Sequence, residues 1–167
     1  MVGRSTPTGS RSSVVTVRVT LCAIGKSKNG PEQALYQEYS KRLRWNLTCR
    51  EFEHRIDNPA VRKQKEGQSL LEACTGHDVV IALDERGSQL SSREFCDNMR
   101  QWQSQGHSSF AFLIGGSDGL EERVTQRADL LWSFGRVTWP HMLVRAMLAE
   151  QLYRCYTMLN GHPYHRD

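Results

Sequence analysis

The residue types best suited to chemistry lie in the last third of the chain. Gly115, Gly116 and Gly119 belong to a glycine turn, GGSDGL, that follows the apolar run Ser109 to Ile114, SFAFLI. Glycines at a strand end permit positive φ or close backbone approach, and the bared amides and carbonyls of such a turn can grip a planar heterocycle or a carboxylate. A tight connection with no ligand accounts for the same residues equally well. A dinucleotide fingerprint is excluded, because GxGxxG should follow the first strand with an acidic residue about 20 positions later, and neither condition is met. A Walker lysine is also absent.

A second set of reactive groups sits on or just after one helical pattern, from about Met142 to Leu159, whose apolar face includes Val144, Met147, Leu148, Cys155 and Leu159. His141, Arg145, Tyr153, Arg154, His162, Tyr164, His165 and Arg166 supply imidazoles, cations and phenols there. His141, directly after Pro140, is either a base or an imidazole that caps or hydrogen-bonds in the core. Glu150 and Arg154, four residues apart, are also readable as a surface pair worth about a few tenths of a kcal/mol. His162 and His165 have no Cys or carboxylate to complete a ligand set, so no metal site is expected.

The elements that must position these groups follow from periodicity. Val15, Val17, Val19 and Leu21 alternate as a strand ending at Gly25, and Gly30 with Pro31 opens a helix to about Leu43. Leu47 to Glu53 reads as a weaker strand, and Pro59 to Ala73 as a polar helix that Gly76 could terminate. DVVIAL, Asp78 to Leu83, is an unbroken apolar run suited to an interior strand. Ser91 and Glu94 form a capping box, with Leu90 and Phe95 spaced as a hydrophobic staple, for a helix to about Gln103. After SFAFLI comes a short helix, Glu121 to Ala128, then the apolar pieces LLWSF and VTW around Gly135 and Arg136. Strand and helix alternate throughout, which predicts a mostly parallel α/β sheet with helices on both faces. Ligands in such sheets collect at the carboxyl edge, which singles out Leu83 to Arg86, Gly115 to Gly119 and Phe134 to Pro140.

With 167 residues, the chain can bury one core and is expected to form a single domain over 14–167. Residues 1–13 carry two arginines and no acid, and read as a disordered extension, either a transit peptide or a vector remnant or early start. No apolar run approaches the roughly 20 residues of a membrane span. The five scattered cysteines lack a CxxC pair, which predicts buried free thiols in a reducing cytoplasm. The net charge of +4 permits a polyanionic partner without requiring one.

LIGGSDGL, VTWPHMLVRAMLAEQLYR and the ending HPYHRD resemble the ribosomal RNA large subunit methyltransferase H family of the SPOUT class, as does VVIALDERG for its first cofactor loop. The likeness runs from near Val17 to the last residue. It implies an α/β knot whose C-terminal part is threaded as a trefoil, acting as a homodimer. It implies methyl transfer from S-adenosyl-L-methionine to N3 of a pseudouridine in helix 69 of 23S rRNA, within the large subunit or the assembled ribosome. S-adenosylhomocysteine is the co-product, and neither DNA nor a membrane is a partner. Carried over by motif, Leu83, Gly115, Gly116 and Gly135 through Pro140 (Gly135, Arg136, Val137, Thr138, Trp139, Pro140) hold the cofactor. Trp139 departs from the aliphatic residue expected, which bears on packing around the cofactor.

The implied reaction needs an imide proton removed, the ring nitrogen aligned with the sulfonium methyl, and the ring's negative charge stabilised. His165 is the first choice for proton handling, and His141, Arg145, Tyr153, Arg154, His162, Tyr164 and Arg166 are its companions for nucleotide orientation and phosphate contacts. Lys41, Arg42, Arg44, Arg62 and Lys63 are candidate phosphate contacts, or solvated helix faces. The competing readings are a SPOUT methyltransferase of transfer RNA, and a non-catalytic RNA- or ribosome-binding module with no affinity for the methyl donor.

Overall fold

The computed structural model describes residues 16–165. The expected extension, the strand start at Val15 and the candidate Arg166 lie outside the described residues. The described chain alternates β1 (Arg18–Ile24), α1 (Pro31–Arg42), β2 (Asn46–Phe52), α2 (Pro59–Cys74), β3 (Val79–Ser88), α3 (Ser92–Ser104), β4 (Ser109–Ile114), α4 (Glu122–Arg127), β5 (Leu130–Trp132) and α5 (His141–Leu159). The strands form one sheet in the order β2-β1-β4-β3-β5. Every pairing of named strands is parallel.

The strand period of two sorts side chains onto two faces. Val19, Leu21, Val79, Ile81, Phe110 and Phe112 join one core with Phe95, Met99, Leu148 and Leu152 of α3 and α5. Cys22, Val80, Ala82, Ala111 and Leu113 join the other with Leu70 and Ala73 of α2 and Val124 of α4. Burial on both faces is why DVVIAL and SFAFLI show no alternation in the sequence. The central strand β4 is buried along its whole length.

Helix starts follow local chemistry. Ser91 and Glu94 make the reciprocal capping box before α3. The Asn58 carboxamide accepts hydrogen bonds from the amides of Ala60 and Val61 ahead of α2. The VTW segment, 137–139, lies in the loop expected over Phe134 to Pro140. One reading changes. Of the five thiols, Cys49 is exposed while the other four are buried, because Cys49 lies on β2, at the edge of the sheet where only one side is paired.

β3 runs on to Ser88, past the expected end at Leu83, through an irregularity where Leu83 and Ser88 both pair with Trp132. A Cβ at Gly87 would lie 2.5 Å from the Leu131 carbonyl oxygen, so only glycine allows β5 this close. Residues 84–87 are thereby pushed out as a bulge at the sheet's carboxyl end.

Candidate functional site

Because β4, β3 and β5 are neighbours and parallel, the segments leaving their carboxyl ends emerge side by side. The β3 bulge, the turn 115–120 and the loop 134–140 enclose a cleft of about 560 Å³. Leu83, Ile114, Leu120, Trp132, Phe134 and Val144 give it apolar walls, while Asp84, Asp118 and Lys63 stand among the polar lining groups. A volume of this size suits a small organic ligand.

The glycine turn is closed by its own backbone. The Gly119 amide donates to the Gly116 carbonyl at 3.0 Å, with Gly119 at φ 79°. A Cβ at Gly115 would meet Leu120 Cδ2 at 2.9 Å, and one at Gly116 would meet Ile24 Cγ2 and Glu66 Oε2, each at 3.0 Å. Both glycines are therefore closely packed, and a side chain at either would need its neighbours to give way. From α2, Arg62 grips the turn by donating from Nε to Asp118 Oδ2 at 2.9 Å, with Nη2 ion-paired to the same oxygen at 2.8 Å. That bond occupies Arg62, which the sequence offered as a phosphate contact. Its neighbour Lys63 lines the cleft instead.

In the first loop, Asp84 accepts a fork of hydrogen bonds from Arg86, 2.9 Å from Nε and 2.8 Å from Nη2. The Arg86 guanidinium holds the Asp84 carboxyl below its usual range despite opposing burial. In the third loop, Gly135 has φ 110°, and Ser133 bonds both its amide and its carbonyl. Trp139 is 38% exposed and donates its indole N–H to the Phe134 carbonyl at 3.2 Å. The tryptophan thus closes its own loop, a use the sequence did not disclose.

Of the residues carried over to the cofactor, Leu83, Gly115, Gly116, Gly135, Val137, Thr138 and Trp139 line the cleft. Arg136 and Pro140 lie in the same loop without lining it. Among the described residues assigned to chemistry, only His141 lines the cleft. Although His141 is exposed overall, desolvation of its ring and then the Arg145 charge lower its pKa from the usual 6.5. At neutral pH it is an acceptor.

Arg145 is elsewhere. It is 2% exposed, ion-paired with Glu51 of β2, and donates to the Gly25 carbonyl at 2.9 Å. Ser27 adds its amide to the same carboxylate at 2.6 Å. Burial pushes the Glu51 pKa up, but the Arg145 and Ser27 hydrogen bonds outweigh it and leave the carboxyl below its usual value. This polar knot ties the ends of β1 and β2 to α5, and Arg145 has no guanidinium face to offer a substrate.

The remaining described candidates of the α5 segment and tail gather at the far end of α5. The Tyr164 hydroxyl and Arg154 Nε donate to Glu150 Oε1, both at 3.0 Å. The Tyr153 and Tyr164 rings lie 4.6 Å apart, and Arg154 sits over the Tyr164 ring at 5.3 Å. His165 Nδ1 is 3.4 Å from Thr157 Oγ1. The HPYH segment is thus folded back on α5 by Glu150, a partner that sequence spacing linked only to Arg154. No cluster of three metal-ligating side chains exists among the described residues.

A family model described as "Predicted SPOUT methyltransferase" matches residues 17–165. The chain is 48% identical over 151 residues to a "Ribosomal RNA large subunit methyltransferase H" of Rhodospirillum centenum, covering 90% of this chain and 99% of the relative. It is 47% identical over 152 residues to a protein of the same name from Paramagnetospirillum magneticum, with the same coverage. A solved structure described as "Probable Methyltransferase from Bordetella pertussis" superposes with a TM-score of 0.57 at 13% identity, over 83% of this chain and 96% of that one. That last likeness establishes the fold, and the sequence matches establish more: the chain belongs to the ribosomal RNA large subunit methyltransferase H family of SPOUT methyltransferases.

Proposed function

We propose that the protein is an S-adenosylmethionine-dependent rRNA methyltransferase that methylates N3 of a pseudouridine in helix 69 of 23S rRNA, in the cytoplasm. The observation that carries the cofactor part is the three-loop cleft at the carboxyl edge of the sheet, in a chain of this family. Its apolar walls suit an adenine ring. The bare turn at Gly115 and Gly116 and the loop 135–140 present backbone groups for the polar edges. The group supplies, when bound, an electrophilic methyl.

The chain's own residues do the rest. The cleft fixes the donor so that the attacking nitrogen is held in line, which replaces a bimolecular encounter. His141, neutral at the cleft, accepts the imide proton as nitrogen attacks. Along α5, His141 and Arg154 are separated by roughly 20 Å at about 1.5 Å per residue. The tail of one chain is therefore too far along its helix to serve its own cleft without rearrangement.

The homodimer implied by the family answers this distance. α1 buries none of its residues within one chain, and Leu35 on it is 43% exposed. A groove of about 660 Å³ runs between α1 and α5, from Gly135 beside the cleft to Glu150 beneath the tail. A second copy seated there by a two-fold would carry one chain's Tyr164 and His165 toward the other's cleft. The trefoil threading of the C-terminal part belongs to this proposal too.

The test is transfer of labelled methyl from S-adenosylmethionine to ribosomes from cells lacking the modification, beside Gly116→Trp. Label in 23S rRNA that is lost on blocking Gly116 is expected. Label in transfer RNA but not in ribosomes overturns the substrate, and no binding of the methyl donor overturns the enzyme reading.

A further inference from the structure

Glu66 of α2 is 6% exposed, and its Oε2 is fully buried without a hydrogen-bond partner among the described residues. It is not part of the cleft lining. Both carboxyl oxygens lie directly beneath Gly116, at 3.0 and 3.1 Å from where a Cβ would stand. The neighbouring residues of α2 are committed to the same loop: Arg62 holds Asp118, and a Cβ at Gly67 would fall 2.2 Å from Glu121 Oε2. α2 is thus the bed on which the glycine turn rests, with a carboxyl group at its centre.

We infer that Glu66 is a positioning residue for the cofactor turn, supporting Gly116 from below as a neutral carboxylic acid. The inference rests on the cofactor reading above. An ionised carboxylate in this place would be desolvated and close to Asp118, with Arg62 already shared with that residue. A neutral carboxyl can instead present an O–H to the turn and fill the space without adding charge. Desolvation, with Asp118 next, raises the Glu66 pKa above its usual value, while Arg62 and His54 oppose this. The groups facing Glu66 are accordingly Arg62 on its own helix, Asp118 on the turn, and His54 on the segment after β2, where it is 2.8 Å from Ser69 Oγ. Loss of the proton puts a charge under the turn and loosens the site.

The test is calorimetric titration of the full chain with S-adenosylhomocysteine from pH 5 to 9, for wild type, Glu66→Gln, Glu66→Leu and a His54→Gln control. Expected are wild-type affinity that falls at least threefold as pH rises through the raised carboxyl pKa, and a Gln variant that binds like low-pH wild type without this fall. The Leu variant should bind at least tenfold more weakly, and His54→Gln should keep the pH dependence. If Leu fails to fold, the Gln profile alone decides. Wild type that binds with the same pH profile as Gln overturns the inference and leaves the cofactor reading standing; wild type that does not bind at any pH overturns both.

Discussion

His141 stands where α5 meets the cleft, and its protonation state decides what it can do. Only the neutral ring accepts a proton, and its pKa is depressed. Activity is therefore expected to rise with pH through a value below 6.5 and to be level above it. His141→Ala should lower kcat by about 10²-fold and abolish that acidic limb, with cofactor affinity little changed; rate against pH on ribosomes measures both. Gly116→Ala makes the opposite separation. Its Cβ meets Ile24 and Glu66 at 3.0 Å, so cofactor affinity should fall about tenfold by calorimetry while the sheet remains folded. Arg145 belongs to stability. Arg145→Met should cost about 3 kcal/mol in urea unfolding, the low end for a broken buried pair because Glu51 keeps 22% exposure and can rehydrate. The Glu51 contribution has a definite sign: its folded pKa is depressed, so its stabilisation is present above about 4.5 and is lost as pH falls through the lowered value.

Among the elements, α3 and α2 show how differently a helix can be legible. The capping box of α3 is written in Ser91 and Glu94, and the hydroxyl and carboxylate bonds it predicts are present at 3.1 and 2.7 Å. Ser91→Ala should cost about 1 kcal/mol in thermal or urea unfolding and leave cofactor binding untouched, since the helix start is away from the glycine turn. α2 looked like a polar surface helix, and its sequence pattern is indeed weak. Its importance lies in what it touches: Leu70, Ala73 and Cys74 enter the core, while Arg62 and Glu66 meet a loop about fifty residues later in the chain. No local periodicity reports such a contact. The β3 bulge is a similar case, because Gly87 is explained only by the approach of β5.

At the scale of the whole molecule, the two chemical clusters at opposite ends of α5 make a prediction about assembly. Light scattering should show a dimer, and Leu35→Asp on the α1 face should shift it toward monomer with loss of methyl transfer. Mixed dimers test the sharing of a site. Combining a Gly116→Trp chain with a His165→Ala chain should restore about a quarter of wild-type activity, since half of the dimers are mixed and each has one intact cleft facing one intact tail. Equal inactivity of the mixture and its parents shows instead that each chain serves itself.

By itself the sequence determined the order of strands and helices, the parallel sheet with two covered faces, and the three places where loops reach its carboxyl edge. Those follow from periodicity, turn chemistry and burial, which act over a few residues. The family resemblance in GGSDGL pointed to the turn that lines the cleft, whereas the HPYH segment lies at the other end of α5. Only the tertiary structure decided that Arg145 faces Glu51 rather than a substrate, that Arg62 holds Asp118, and that Glu66 lies beneath Gly116. It also set the candidate bases apart, with His141 at the cleft and His165 at the other end of α5. The physical reason is the same for each: a charged side chain's partner is chosen by the packing of elements distant in the chain, and residue type or spacing carries no record of that choice.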